Sequence, residues 1–304
     1  MPSTKEIKGR IKSIKDTQKI TNAMYMIAST KMRKAKSELD LTRPYFDALR
    51  GEIKRLFRIE SKLESRYFYP EDGSDVSVKT YGVLVITADK GLAGAYNQNV
   101  IKQAQKMLDE HPDTKLFVVG EYGRRYFTKK KIPIEQSFLY TAQNPTMMRA
   151  REISNILLAG YDKGELGKIF IIYTDLQNGM QEEAKVTRLL PFHRSHFVGE
   201  EEKPVKVPFE FIPDLRTVLE TGVRSYVSGF IYSALVDSFC SEQNARMEAM
   251  SAANDNAEKM LEELSVQYNR VRQAAITQEI TEVSAGAKAQ KKKRLKEAAR
   301  NADR

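Results

Sequence analysis

After Pro213 the chain runs for 91 residues without another proline, and only Gly222, Gly229 and Gly286 interrupt its helix-compatible side chains. Such a stretch can form one continuous helix. At 1.5 Å per residue, residues 214–286 alone would span ~110 Å. A compact domain of ~140 residues has a radius of gyration of only ~14 Å, so no domain of this size can enclose the helix. It requires a second helix alongside.

The spacing of apolar and small residues says where the two helices meet. Positions 250, 254, 257, 261, 264, 268, 271 and 275 hold Met, Asn, Ala, Leu, Leu, Tyr, Val and Ala, a 3-4 alternation of the coiled-coil kind. Upstream, Leu215, Val218, Leu219, Val223, Val227, Ile231 and Leu235 form a broader band, as where a helix leans on a globular domain. The partner is at the other end of the chain: Ile7, Ile11, Ile14, Gln18, Thr21, Tyr25, Ala28, Met32, Ala35 and Leu39, continued by Leu49, Ile53 and Leu56. Ser3 or Thr4, followed by Glu6, can cap its start. Pro44 removes a backbone donor and is expected to bend or interrupt it, as a kink and not as a boundary between two domains. Small and polar seam residues such as Ala28, Thr21, Asn254 and Ala257 depart from the large branched residues of an autonomous coiled coil, which leaves two readings: a structural coiled coil that packs on itself, or a rod stabilised by a surrounding partner.

Between these helices, apolar runs at 81–86, 115–119 and 168–173 alternate with helical patterns at 97–110 and 146–162, the signature of a mostly parallel sheet covered on both faces. Strands at 134–140 and 186–190 would complete it, and 192–208 reads as an irregular loop. The predicted architecture is α/β: a long antiparallel coiled coil of N- and C-terminal helices plus a central Rossmann-like α/β domain. The predicted divisions are residues 1–60, 76–212 and 213–287, followed by a basic extension at 288–304.

Charge is concentrated at the extremities. Residues 1–36 carry ten basic and two acidic side chains and residues 288–304 carry eight and two, so the ends hold +14 of a total of +10 and the body between them is mildly acidic. A single cysteine, Cys240, excludes an intramolecular disulfide framework and a multi-cysteine zinc site. No stretch approaches the roughly 18 apolar residues needed to cross a bilayer. The first ten residues lack an apolar signal core, which leads to the expectation that no targeting peptide precedes the fold.

Candidates for chemistry are few. The turn Ala88-Asp89-Lys90-Gly91-Leu92-Ala93-Gly94-Ala95-Tyr96-Asn97 leads from a strand into a helix, where backbone amides can cradle an anion. It matches neither GxxxxGK[ST] nor GxGxxG, and its glycines equally serve chain reversal. His193 and His196 lack a third ligand, His111 follows a helix end, and Cys240 lies in an apolar helical stretch. Glu182-Glu183 and Glu200-Glu201-Glu202 read as solvated loop charges. No catalytic constellation emerges.

Four segments carry a family resemblance. IKGRIKSIKDTQKITNAMYMIASTKMRKAK (7–36) and NRVRQAAITQEITE (269–282) closely resemble the two signature segments of the F-type ATP synthase gamma subunit. ADKGLAGAYN (88–97) and SEQNARMEAMSAANDNA (241–257) resemble its first strand-helix turn and its second long helix. The resemblance covers residues ~3 to 287. It implies a rotor shaft standing in a hexameric ring of alpha and beta subunits, with the α/β domain meeting the epsilon subunit and the membrane c-ring. Ion flow would turn this shaft and drive the ring's nucleotide sites through different affinities. It implies no catalytic residue, cofactor or metal on this chain, and a peripheral location on the cytoplasmic side of a bacterial membrane.

By motif position, the resemblance implies that Arg272, Gln273, Thr277, Gln278, Glu279 and Glu282 contact the ring, with Met24 on the facing helix. Basic Lys19, Lys31 and Arg33, with Lys34 and Lys36, suit an acidic ring loop. Phe209, Glu210 and Phe211 fall in the foot, where c-ring or epsilon contact is expected. This chain departs from the family pattern at Ala93, where a cysteine is common, at VSAGAKAQ after the tip motif, and in the basic run KKKRLKEAARNADR, which is expected to meet acidic loops at the crown. The competing reading is a coiled-coil nucleic-acid binder that uses the two basic ends, with strongly salt-dependent affinity. A stand-alone nucleotide-binding enzyme built on the central domain is a third.

Overall fold

The computed structural model describes residues 3–59, 65–69, 79–139, 141–177, 181–193 and 210–302. Of the residues singled out above, Phe209, His196, Glu200-Glu201-Glu202 and the loop positions 194–208 lie outside these, as do the side chains of Glu182 and of residues 293–302. The elements run α1 (Thr4–Ile59), β1 (Tyr81–Ile86), α2 (Tyr96–Glu110), β2 (Thr114–Val119), α3 (Glu121–Lys129), β3 (Gln136–Phe138), α4 (Met147–Asp162), β4 (Lys168–Gln177), β5 (Gln181–Leu190) and α5 (Leu215–Ala302). The described residues group into two units, one of Met1–Tyr25 with Met250–Arg304 and one of Met26–Ala249.

Both long helices have capped starts. The Ser3 amide donates to Glu6 Oε2 at 2.9 Å while the Glu6 amide donates to Ser3 Oγ at 3.3 Å, the reciprocal pair of a capping box. Asp214 accepts from the Thr217 amide at 2.9 Å and from its hydroxyl at 2.7 Å, which holds the Asp214 carboxyl below its ordinary pKa. α1 is helical across Pro44, so the proline does not interrupt it. Buried Leu39 and Ile53 on either side fix the backbone into the core of its unit, which compensates for the missing donor. The helix predicted over 214–286 continues to Ala302.

In the first unit, α1 buries Ile7 and half-buries Ile11, Ile14, Gln18, Thr21 and Met24; α5 buries Met250 and Ala257 and half-buries Asn254, Leu261, Leu264, Tyr268 and Val271. The predicted seam is corrected at two places. Tyr25 is exposed, and Met24 takes its position. Ala275 is exposed too, because the seam stops at Val271. Across the seam a polar layer forms: the Thr21 hydroxyl is hydrogen-bonded to the Asn254 carbonyl oxygen, and Asn254 Nδ2 donates to Asn22 Oδ1 at 2.5 Å.

The second unit is built on a five-stranded sheet in the order β3-β2-β1-β4-β5, parallel except for the antiparallel β4-β5 pair. β1 shows why it needs cover on both faces. Val83 and Val85 point into a cluster with Val100 and Ala104 of α2 and Phe127 of α3, while Leu84 and Ile86 point into a larger one. That larger cluster includes Leu157 and Leu158 of α4, Ile53 and Leu56 of α1, and Leu219, Val223, Val227, Ile231 and Leu235 of α5. The apolar band read from the sequence is thus the face by which α5 covers the sheet.

Within this unit α1 and α5 run antiparallel: the position of a Gly222 Cβ would lie 3.7 Å from Ile53, Gly229 meets Phe46, and the Cys240 thiol lies 3.9 Å from the Met32 carbonyl. Gly229 is required at its crossing, since a Cβ there would lie 2.1 Å from the Phe46 ring. The ring is half-buried and can partly swing out. Gly229→Ala is therefore expected to cost about 1–3 kcal/mol of unfolding free energy, most of it recovered by adding Phe46→Ala. Urea denaturation of the two variants checks this; a double variant weaker than Gly229→Ala alone would refute the ring clash as the cause.

Candidate functional site

The seam ends at Val271, and from Arg272 to Lys292 every residue of α5 is exposed. Thr277 and Thr281 return their hydroxyls to the carbonyls of Gln273 and Thr277, at 2.9 and 2.8 Å, and Gln278 Nε2 donates to Glu282 Oε1 at 2.9 Å. These bonds stay within the helix. Ile276, Ile280 and Val283 are 48, 64 and 73% exposed at spacings of four and three, so they lie on one face as an apolar stripe. A helix that carries such a stripe away from any covering element presents an interaction surface. Arg272, Gln273, Thr277, Gln278, Glu279 and Glu282, the residues singled out by motif position, all lie on this bare segment.

On α1, Lys19 is exposed and pairs with Asp16 at 3.3 Å. Met24 is half-buried on the seam side rather than projecting outward. Both belong to the same unit as the bare segment. Lys31 and Arg33 are exposed and belong to the other unit. Of the foot residues, Glu210 is exposed, and Phe211 is half-buried against the larger core cluster of its unit.

The glycine-rich turn after β1 is occupied by the protein itself. Asn97 Oδ1 accepts from the Ala88 amide at 2.9 Å, Asp89 Oδ1 accepts from the Glu121 amide at 2.9 Å, and Leu92 and Gly94 sit at φ of 63° and 51°. Ala88, Ala93 and Tyr96 pack on Ala245 of α5. Arg246 then donates to the Gly91 carbonyl at 3.1 Å and to Glu242 at 2.6 Å. Burial raises the Glu242 carboxyl above its ordinary pKa, opposed by the Arg246 charge. These contacts clamp the turn onto α5. The spacing of Glu242 and Arg246 suggests only an ordinary helix-surface pair, and nothing in the sequence marks the pair as buried.

A groove of about 900 Å³ opens beside the turn, lined by Asp89, Lys90, Tyr122 and Arg125 among others. Its one strongly shifted acid, Glu121, is held down to about 2 by hydrogen bonds from Arg124 and Arg125 at 2.6 and 2.7 Å. Those guanidiniums are thereby committed to an internal carboxylate. The remaining candidates have structural partners. His193 stacks on Tyr69 at 4.6 Å, His111 lies 4.3 Å from Tyr81, and burial pushes the Cys240 thiol up to about 12. Among the described residues, no group of histidine, cysteine and acidic side chains is arranged to hold a metal ion, and no helix is long and apolar enough to cross a membrane.

Residues 3–290 match the protein family described as ATP synthase. The ATP synthase gamma chain of Acetivibrio thermocellus is 40% identical over 297 residues, which cover 96% of this chain and all of that one. Among solved structures, a chain of the Tetrahymena thermophila mitochondrial ATP synthase central stalk and c-ring is 27% identical with a TM-score of 0.57, covering 77% of this chain and 99% of its own. A chain of the Euglena gracilis mitochondrial ATP synthase, solved with its F1 and c-ring, has a TM-score of 0.65 at 15% identity, covers 94% of each chain, and supports the fold alone.

Proposed function

Because the chain belongs to the ATP synthase gamma-chain family, we propose that it is a central-stalk shaft whose bare segment, Arg272 to Val283, turns against the alpha and beta subunits of a hexameric ring. The observation that carries this reading is the uncovered apolar stripe Ile276, Ile280 and Val283, set among Arg272, Gln273, Thr277, Gln278, Glu279 and Glu282. A shaft acts on catalytic sites only through contacts that differ between their states, and the coupling is reciprocal, so nucleotide hydrolysis in the ring drives the shaft in turn. Such a part needs a stiff, asymmetric surface and no active site of its own. Lys19, Lys31 and Arg33, exposed along α1, supply positive charge for acidic ring loops, and Met24 supports the shaft from its seam. The foot around Phe209, Glu210 and Phe211 meets epsilon or the c-ring, and the chain is held peripherally on the cytoplasmic face of the membrane through that complex. The family match and the gamma-chain relative named above give the nucleic-acid reading no support.

Replacing Arg272 and Gln273 together by alanine tests the ring contact, since both are exposed and, among the described residues, neither side chain is hydrogen-bonded or ion-paired. ATP hydrolysis by the purified complex is expected to fall about tenfold, equivalent to ~1.4 kcal/mol of lost coupling, with alpha and beta subunits still co-purifying. Activity within twofold of the parent complex would refute the assignment of this segment.

A further inference from the structure

Leu41 and Tyr45, one turn apart on α1, are 80 and 58% exposed, and Met148 in the first turn of α4 is 77% exposed. A pocket of about 230 Å³ is lined by Tyr45 and Phe46 of α1, Met147 and Arg151 of α4, and Ser225 and Ser228 of α5. All these residues belong to the Met26–Ala249 unit. The volume is below that of small-molecule sites and suits a single anchoring side chain. A groove between two helices, with apolar residues on its rim, is the shape that receives a third helix by its apolar face.

The charge of the groove narrows the choice of occupant. Its charged lining residues are Arg151 and Arg224, and no acidic side chain lines it. Arg224 is paired with Asp162, whereas Arg151 makes no ion pair among the described residues. The chain's own basic extension, with eight basic and two acidic residues at 288–304, carries the wrong sign to fill it.

We propose that the groove around Tyr45, Met147 and Arg151 docks an amphipathic helix of another subunit, which seats one apolar side chain in the pocket and sets a carboxylate against Arg151. The inference rests on the rotor reading only for where that subunit is sought.

The test uses the intact ATP synthase complex carrying p-benzoylphenylalanine in place of Tyr45, irradiated and digested, with the cross-linked peptide sequenced by mass spectrometry. The expected product joins this chain to a single helical peptide of one other subunit, with apolar residues three or four apart and at least one Asp or Glu. Arg151→Glu is expected to lower its yield about tenfold or more, while Arg151→Lys keeps at least half. Cross-links only within the chain, to lipid or to a second copy, no cross-link, or a yield indifferent to Arg151→Glu would each overturn the proposal. If the complex retains its ring subunits and ATPase activity in those cases, the rotor reading stands and this inference alone falls. A chain that never co-purifies with ring subunits removes both.

Discussion

Gly120→Ala is expected to lower the unfolding free energy by more than about 4 kcal/mol, beyond the usual range for a single substitution. Gly120 joins β2 to α3 at φ 94° and ψ 139°, a conformation that side chains with a Cβ rarely adopt. The Cβ would lie 2.1 Å from the Thr87 carbonyl oxygen and 2.7 Å from its carbon. Backbone cannot swing aside as a side chain can, and this backbone is tied down. The Thr87 amide and hydroxyl both donate to the Val119 carbonyl at 2.9 Å, and the Gly123 amide donates to the Thr87 hydroxyl at 3.0 Å. Relieving the clash therefore separates the ends of β1 and β2. Gly91→Ala is the matched control: a Cβ there meets nothing within 4 Å, and the expected change is within about 0.5 kcal/mol. Urea denaturation of both variants decides the matter, and equal midpoints would show that the junction relaxes freely.

The second large effect concerns pH. Asp237, on the face of α5 beneath the sheet, has its pKa raised to about 6, first by burial and then by the Asp175 carboxylate of β4. The Ser233 hydroxyl on its own helix, Arg43 of α1 and Lys185 of β5 oppose the shift, and Lys185 is itself held by Asp175 at 2.6 Å. Between the unfolded carboxyl's ordinary pKa near 3.9 and about 6, the folded chain binds this proton and the unfolded chain has lost it. Asp237 therefore stabilises the fold below that window, and its contribution is lost as pH rises through it. The loss amounts to about 3 kcal/mol by pH 7. Asp237→Asn is expected to raise stability at pH 7.5 by about 2 kcal/mol, less than the full amount because the 3.4 Å bond from Ser233 is altered. It should also flatten the fall in stability between pH 4 and 6. Denaturant midpoints at pH 5 and 7.5 for both proteins supply the comparison, and an unchanged difference between the two pH values would contradict the assignment.

The long helices were legible because they depend on local rules: no proline after Pro213, a cap at Ser3, and small or apolar residues at alternating spacings of three and four. The choice between Tyr25 and Met24 was not. Either fits the spacing, but a seam containing Thr21, Ala28 and Ala257 draws the helices close, and a flexible methionine fits there better than a phenol ring. α3 escaped notice because its nine residues bury only Gly123 and Phe127, too few to set a period. β5 was expected from 186 but begins at Gln181. Its polar first half is held by pairing with β4 and by the Lys185–Asp175 bridge, neither visible in one strand's sequence. At the candidate site, motif likeness picked out the bare segment of α5. Its exposure depends on where α1 begins to cover it, which is a fact of register between distant parts of the chain.

The polar layer of Thr21, Asn22 and Asn254 determines how the paired helices respond to shear along their axis. An all-aliphatic seam offers nearly the same fit after slipping by one heptad, about 10 Å. Here the same slip would bring Asn254 opposite Ile14 and leave its amide without a mate, at a cost of about 1–3 kcal/mol. The layer behaves as a detent: a pull on one strand is passed to the other instead of being dissipated by sliding.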